Sequence, residues 1–186
     1  MIKINNLTFG YLPNKKVLHG FCAEFKRGER VCISAPSGAG KTTLFRLIAG
    51  LEKPDSGIIE KDEKLKIGIV FQEDVLLPWI TALENVAAVC DEETAKKWLT
   101  AFGLEADLNV HPSDMSGGMR RRTALARAVG YEPDILLLDE PFKGLDKELK
   151  SKIVAALTAH FCDRLIIFTS HDEAETAEFA TRKIEL

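Results

Sequence analysis

The order of apolar segments in this 186-residue chain predicts an α/β fold with parallel pairing at its centre. Three observations carry that expectation. Short apolar strands alternate with helical segments over most of the length. A glycine-rich loop, Ala35 to Thr43, joins one such strand to a helix. A second apolar strand, from Ile135, ends in the carboxylate pair Asp139-Glu140, at the strand edge where α/β sheets place their ligands.

Ile2-Lys3-Ile4 and Leu7-Thr8-Phe9 have strand character, and Gly10 to Lys16 is turn-rich, with Pro13 and Asn14. Phe21, Ala23 and Phe25 alternate with Cys22, Glu24 and Lys26, the period of a half-buried strand. Arg27-Gly28-Glu29 makes a turn into a short buried strand, Val31 to Ala35. The strand-rich beginning is expected to form a small antiparallel sheet packed on the core. A helix from about Lys41 is stopped by Gly50 and then Pro54, and Ile67 to Phe71 is another strand. Thr81 to Gly103 reads as two helices joined near Cys90-Asp91. Their apolar stripes are Leu83, Val86 and Ala87, then Ala95, Trp98, Leu99 and Phe102. A helix over Gly117 to Val129 and the strand Ile135 to Asp139 follow, then a helix (Lys147 to His160), a strand (Leu165 to Thr169) and a last helix from Asp172. The helices interrupt the alternation and are expected to form a compact α-helical lobe over approximately residues 78–128. Without repeats, low-complexity segments or a long linker, residues 1–186 are expected to form a single domain.

Composition narrows the functional classes. With 46% hydrophobic and 28% charged residues the chain reads as an ordinary soluble protein. A net charge of −3 gives no reason to expect nucleic acid as a partner. Runs such as Ile135-Leu136-Leu137-Leu138 fall far short of the roughly 18 apolar residues of a membrane span. No signal peptide is expected, since the first strand begins almost at Met1. Cys22, Cys32, Cys90 and Cys162 lack metal-type or C-x-x-C spacing and are expected to be reduced core thiols of a cytosolic protein. Any service to a membrane would come from outside the bilayer.

Ala35-Pro36-Ser37-Gly38-Ala39-Gly40-Lys41-Thr42-Thr43 fits the phosphate-binding pattern G-x-x-x-x-G-K-[ST], except that Ala35 stands for the first glycine. Gly38 and Gly40 let the backbone curl, so that N–H groups from Ser37 through Gly40, Ala39 included, face phosphate oxygens. Lys41 would reach the β- and γ-phosphates and the Thr42 hydroxyl would ligate Mg²⁺, with Thr43 adding a phosphate hydrogen bond. A strand-end residue with negative φ tolerates a methyl group, so Ala35 should cost little. Asp139 would hold Mg²⁺ through its water shell, and Glu140 is the candidate for polarising an attacking water. Met115-Ser116-Gly117-Gly118-Met119 opens a helix with free N–H groups and a favourable dipole, which makes a second anion-binding surface. Alone, each string is a common turn or strand end; together they are not.

In this order the three motifs resemble the ATP-binding subunit of an ABC transporter, and the resemblance covers essentially the whole chain. It implies a P-loop NTPase (RecA-like) core and ATP with Mg²⁺ as cofactors. In that family the Ser-Gly-Gly turn is the signature, usually Leu-Ser-Gly-Gly-Gln; here Met115 and Met119 replace the flanking leucine and glutamine. Tyr11 matches the aromatic that stacks on adenine. Gln72 matches the Q-loop glutamine that senses Mg²⁺ and the attacking water. Gly144-Leu145-Asp146 matches the D-loop, and His171 the switch histidine that contacts the γ-phosphate. The family packs two copies head to tail, so Ser116, Gly117 and Gly118 would complete the partner's ATP site in trans, in a homodimer.

The same resemblance implies a separate membrane permease, engaged by the helical lobe and the Q-loop region at the cytoplasmic face of the cell membrane. An extracytoplasmic solute-binding protein would feed it. The segment Phe71 to Trp79 is most similar to ATPases of nitrate, sulfonate and taurine importers, where Leu-Leu-Pro-Trp follows the Q-loop, and His111-Pro112-Ser113-Asp114 has the importer look. The regulatory C-terminal domain of some importers is expected to be absent. The alternative is a soluble non-transport ABC-type ATPase using ATP as a conformational switch, although such proteins usually carry two cassettes or large insertions. A third is a degenerate subunit that binds ATP without hydrolysing it, which only Ala35 suggests. His19, His111 and His160 match nothing catalytic. Arg120, Arg121, Arg122 and Arg127 are expected to be solvated or paired with neighbouring loops, and Trp79 and Trp98 to be core or interface aromatics.

Overall fold

The computed structural model describes residues 1–12, 14–73 and 75–186; Pro13 and Asp74, which fall in the expected first turn and the Q-loop segment, lie outside the described residues. Among them run β1 (Ile2–Phe9), β2 (Leu18–Phe25), β3 (Arg30–Ser34), α1 (Lys41–Ile48), β4 (Ser56–Glu60), β5 (Ile67–Val70), α2 (Ala82–Ala87), α3 (Glu92–Ala101), α4 (Gly117–Gly130), β6 (Ile135–Asp139), α5 (Lys147–His160), β7 (Leu165–Thr169), α6 (Glu173–Phe179) and β8 (Arg182–Glu185). A short 3₁₀ turn, Pro112–Asp114, precedes α4. The strands form an antiparallel sheet in the order β2-β1-β4 and a parallel sheet in the order β5-β6-β7-β3-β8.

The parallel sheet is buried on both faces, and its central strands show it residue by residue. Leu136, Leu138, Ile166 and Phe168 join one apolar cluster, with Trp98, Phe102, Leu125, Phe142 and Phe179. Their neighbours Ile135, Leu137, Leu165 and Ile167 point the other way, into a second cluster with Ile4, Phe25, Leu44 and Phe45. This is the period-two alternation of a strand with no solvent face, which reads in sequence as a continuous apolar run. The antiparallel sheet and α1 cover one face; α2 to α6 supply the side chains of the other.

Most helices start as the sequence suggested, each on a side-chain cap. Thr81 and Glu84 form a reciprocal capping box on α2, and Asp91, at the expected junction, caps α3. Ser116, Asp146 and Asp172 cap α4, α5 and α6. Buried Asn85 on α2 donates to the carbonyls of Leu77, Ile80 and Thr81 and accepts from Leu77 N, which ties the approach segment to the helix.

Three features differ from expectation. β1 is one strand and not two, because Asn5-Asn6 is a bulge: Asn6 has φ 51° and the register shifts between Ile4 and Leu7. β4 and β8 were not anticipated. Both are edge strands of few apolar residues, and the backbone of β4 packs so closely on the bulge that a Cβ on Gly57 would lie 2.3 Å from the Asn6 carbonyl. The cysteines are free, but only Cys32 is buried; Cys22 and Cys162 are exposed, so two of the expected core thiols face solvent. Trp98 is buried, whereas Trp79 is exposed. Among the described residues no helix is long and apolar enough to cross a membrane.

Candidate nucleotide site

The phosphate-type loop leaves the core at the end of β3. Gly38 and Gly40 have φ of 80° and 99°, in the left-handed region that favours glycine, whereas Ala35 does not. Gly40 is doubly constrained, because a Cβ there would lie 2.7 Å from Val17 Cγ1. It precedes α1 without any side-chain cap, so the first N–H groups of that helix are left for an anion. Lys41 is buried and folds back: its ammonium donates to the Ala35 carbonyl at 2.7 Å and the Pro36 carbonyl at 3.3 Å, and lies 3.4 Å from His171 Nε2. Among the described residues those neighbours carry no negative charge, which leaves its own charge available to a phosphate.

Thr42 and Asp139 meet directly, the hydroxyl donating to Asp139 Oδ2. Thr169 donates to the other carboxylate oxygen at 2.7 Å and, as an acceptor, receives Glu140 N at 2.9 Å. Each oxygen of the buried Asp139 carboxylate therefore accepts from one hydroxyl, Oδ2 from α1 and Oδ1 from β7, and keeps a further lone pair for another partner. Thr42, Asp139 and Gln72 bring hard oxygen donors to one cleft, a set that fits Mg²⁺. Among the described residues no group of three or more His, Cys, Asp or Glu is placed to hold a metal ion by itself.

Glu140 sits at φ 49°, a conformation costing on the order of 1–3 kcal/mol for a residue with a side chain. Its amide bond to Thr169 and the turn that follows hold it there. Its Oε1 lies 3.3 Å from His171 Nε2, and its Oε2 lies 3.0 Å from Lys143 Nζ. One imidazole nitrogen thus faces both Lys41 and Glu140. It can accept from the ammonium or donate to the carboxylate, and its tautomer decides which.

These groups line a half-open cleft of about 770 Å³. The structure brings Tyr11, Ser37, Gly38, Gly40, Lys41, Thr42, Thr43, Gln72, Asp139, Glu140 and His171 together there. Ala39 belongs to the loop, where its N–H closes a turn onto the Pro36 carbonyl at 3.2 Å, but it does not line the cleft. Tyr11 stands exposed at the rim, its ring edge-on to Phe9 at 5.0 Å and its hydroxyl 3.5 Å from Thr43 Oγ1. Ser116, Gly117 and Gly118 are absent from the cleft lining. Ser116 Oγ accepts from Met119 N at 3.2 Å, nothing lies within 4 Å of where a Gly117 Cβ would be, and the Gly118 position is 3.9 Å from the Gly144 carbonyl.

Sequence reading missed Lys143, Ser170, Asp172 and Glu175, which also line the cleft. Ser170 donates to Glu175 at 2.7 Å and Lys150 pairs with Glu175 at 3.4 Å, which braces the loop carrying His171. The signal for Lys143 was its place three residues after Glu140, across a proline-containing turn. The α4 arginines are loop-paired as expected, but not broadly solvated. Arg121 is buried and donates to the carbonyls of Phe71 at 2.7 Å and Gln72 at 2.6 Å. Arg122 reaches the Phe102 and Gly103 carbonyls at 3.1 and 2.7 Å, and Arg127 the carbonyl of Val75.

Known proteins are similar to this chain over most of its length. A family model described as "ABC transporter" matches residues 18–143. The aliphatic sulfonates import ATP-binding protein SsuB 1 of Rhodococcus jostii is 39% identical over 178 residues, 91% of this chain and 73% of that protein. The formylaminopyrimidine import ATP-binding protein ThiZ of Halalkalibacterium halodurans is 36% identical over 193 residues, 98% of this chain and 78% of that protein. Among solved structures, the dimeric post-hydrolysis state of the ATP-binding cassette MJ0796, bound to ADP and Pi, aligns with TM-score 0.89 at 32% identity, covering 100% of this chain and 94% of that one. A bacterial Atm1-family ABC exporter with ATP bound aligns with TM-score 0.92 at 27% identity, over 100% of this chain and 37% of that one. Similarity of this extent, laid over the cleft geometry, leaves one conclusion: the chain belongs to the ABC transporter family, as an ATP-binding subunit of its importer group.

Proposed function

We propose that this ATPase works as a head-to-tail pair of identical copies that closes on ATP at the cytoplasmic face of a membrane and drives import of a small solute through a separate permease. The observation that carries the pairing is the position of Ser116-Gly117-Gly118, an anion-suited helix start outside the lining of the cleft that gathers the other candidate residues except Ala39. A second copy would bring that turn to the first copy's ATP. The similar cassette solved as a dimer bound to ADP and Pi supports a working pair. The Ser116 hydroxyl can cap α4 as an acceptor and still donate its proton to a phosphate.

In this reading Lys41 neutralises the terminal phosphates, the N–H groups of Ser37, Gly38 and Gly40 cradle them, and Thr43 adds a hydroxyl. Tyr11 stacks on the adenine. Thr42, Asp139 and Gln72 hold Mg²⁺, which when bound offsets charge on the phosphate oxygens. Glu140 accepts a hydrogen bond from the attacking water, and His171 reports on the γ-phosphate. Closure follows from contacts that nucleotide makes only across the pair, and hydrolysis removes them.

The permease reading draws on the importer names of the relatives and on Val75 and Trp79, which are 64% and 70% exposed beside the Q-loop. A small anion such as nitrate, a sulfonate or taurine is the substrate class suggested by Leu76-Leu77-Pro78-Trp79 and by the sulfonate and sulfate relatives. A relative named for spermidine and putrescine import shows that similar ATPases serve cations too, so selectivity belongs with the permease and a solute-binding protein. The test of the pairing is chromatography of Glu140→Gln in ATP: a dimer is expected, and it should vanish when Ser116→Arg is added. Loss of ATP binding by isolated Ser116→Arg monomers would instead place the turn in its own chain's site. Uptake of taurine and nitrate, against putrescine, by vesicles holding the co-purified permease tests the substrate class.

A further inference from the structure

The reading of Glu140 as the group that polarises water raises the question of what aims its carboxylate, which ends a flexible side chain at the mouth of a wide cleft. Three residues on, the structure holds an answer. Glu140 to Lys143 form a turn in which the Glu140 carbonyl accepts from Lys143 N at 3.3 Å. Pro141 takes the second position, where its fixed φ suits the turn. Phe142 is buried at 1% exposure and meets the Phe179 ring edge-on at 5.4 Å, which pins the turn to the core under α6. The turn is therefore anchored at its middle, and it delivers Lys143 Nζ to within 3.0 Å of Glu140 Oε2 while His171 Nε2 stands at Oε1.

We propose that Lys143 is a positioning residue for hydrolysis: its ammonium grips one oxygen of the Glu140 carboxylate and keeps the side chain turned into the cleft, where the attacking water must lie. The inference rests on Glu140 being the water-polarising group. Fold stability does not account for the contact. Lys143 is 61% exposed in its side chain, and such pairs contribute little to stability. Glu140, at 14%, is largely shielded, so the same contact acts on the one carboxylate whose direction matters to the reaction. The competing role is a direct contact of Lys143 with the terminal phosphate, since its side chain also lines the cleft.

Steady-state ATPase kinetics on Lys143→Met, Lys143→Arg, Glu140→Gln and the Glu140→Gln/Lys143→Met double variant separate these roles. Lys143→Met, which keeps the length and removes the charge, is expected to lower kcat about 10-fold with KM for ATP within about 2-fold, a modest part of what misplaced groups can cost. Lys143→Arg should restore most of kcat. In the Glu140→Gln background Lys143→Met should change kcat no further, the non-additivity of two residues acting as one unit. Unchanged kcat in Lys143→Met beside a crippled Glu140→Gln overturns this inference and leaves the Glu140 assignment standing. A raised KM at constant kcat, or a further drop in the double variant, makes Lys143 a phosphate contact and overturns it as well. Full turnover by Glu140→Gln removes the Glu140 assignment, and the inference with it.

Discussion

Lys41 shows how much of the site one residue can carry. Its buried ammonium is held by main-chain carbonyls, so a phosphate would meet a charge already desolvated and oriented. A charge-assisted hydrogen bond of this kind contributes roughly 1.5–3 kcal/mol, or about 10- to 100-fold in affinity. Lys41→Ala is therefore expected to weaken ATP binding by that factor, read by titration with a fluorescent nucleotide, with no change in far-UV dichroism. Glu140→Gln should instead bind ATP normally and hydrolyse at least ~100-fold more slowly, the scale of a lost general base. Unchanged turnover in that variant would sink the assignment. What was legible at this scale follows from covalent spacing. Ser37 to Thr43 and Asp139-Glu140 are contiguous strings whose backbone course is dictated by a strand and a turn, and all of them but Ala39 line the cleft. Tyr11, Gln72 and His171 come from distant segments, and only the family pattern, not the local sequence, pointed to them. Lys143 was passed over despite its place three residues after Glu140, because a lysine in a turn looks solvated until the Glu140 carboxylate is placed beside it.

At the scale of elements, the strands with two buried faces were legible from their apolar runs, and the helices from their apolar stripes and stop signals. The edge strands β4 and β8 were not, because pairing with one neighbour demands little hydrophobicity and their residues alternate weakly or not at all. The arginines of α4 were misjudged in part for a related reason: periodicity sees side chains and not the carbonyls they reach. A tighter junction joins the far ends of α4 and α5. Glu132, at φ 52° just past α4, accepts from His160 at 2.7 Å and pairs with Arg164 at 2.7 Å, while the His160 ring stands edge-on to Trp98 of α3 at 4.7 Å. Partial burial pushes the Glu132 carboxyl up, but Arg164 and His160 outweigh it and hold the group below the usual glutamate range. A depressed folded-state pKa contributes stability that is present above the unfolded pKa and is lost as pH falls through the folded one. Glu132→Gln is thus expected to destabilise the protein by about 1 kcal/mol at neutral pH, the upper end for a pair this exposed. The gap from the parent protein should close below about pH 4. Urea melts of both proteins across that range check it; a gap that persists in acid would assign the effect to packing.

The whole molecule presents two anion-suited surfaces, and no count of residues along the chain shows that they lie apart. The separation of Ser116-Gly117-Gly118 from the cleft is a product of the fold: α4 begins beside Gly144 while its side chains reach back to the Q-loop. Ser116→Arg places a bulky charge at a surface proposed to meet a second copy. It should abolish ATP-driven dimerisation in the Glu140→Gln background while leaving monomer affinity within about 3-fold, under 1 kcal/mol. Sedimentation in saturating ATP measures the first and nucleotide titration the second; a dimer that survives the substitution would remove the trans arrangement.

The arginine contacts of α4 have a consequence for how such a subunit can change partners. Arg121, Arg122 and Arg127 each fasten a neighbouring segment by its main-chain carbonyl oxygens, which any amino acid supplies. The side chains of those segments, Val75 among them, are not needed for those bonds. On the permease reading proposed above, Val75 and Trp79 on the exposed rim can be exchanged for residues that suit a different membrane protein without removing these main-chain bonds. Attachment by Arg127 and recognition at Val75 then use different atoms of the same loop, so one can change while the other stays fixed.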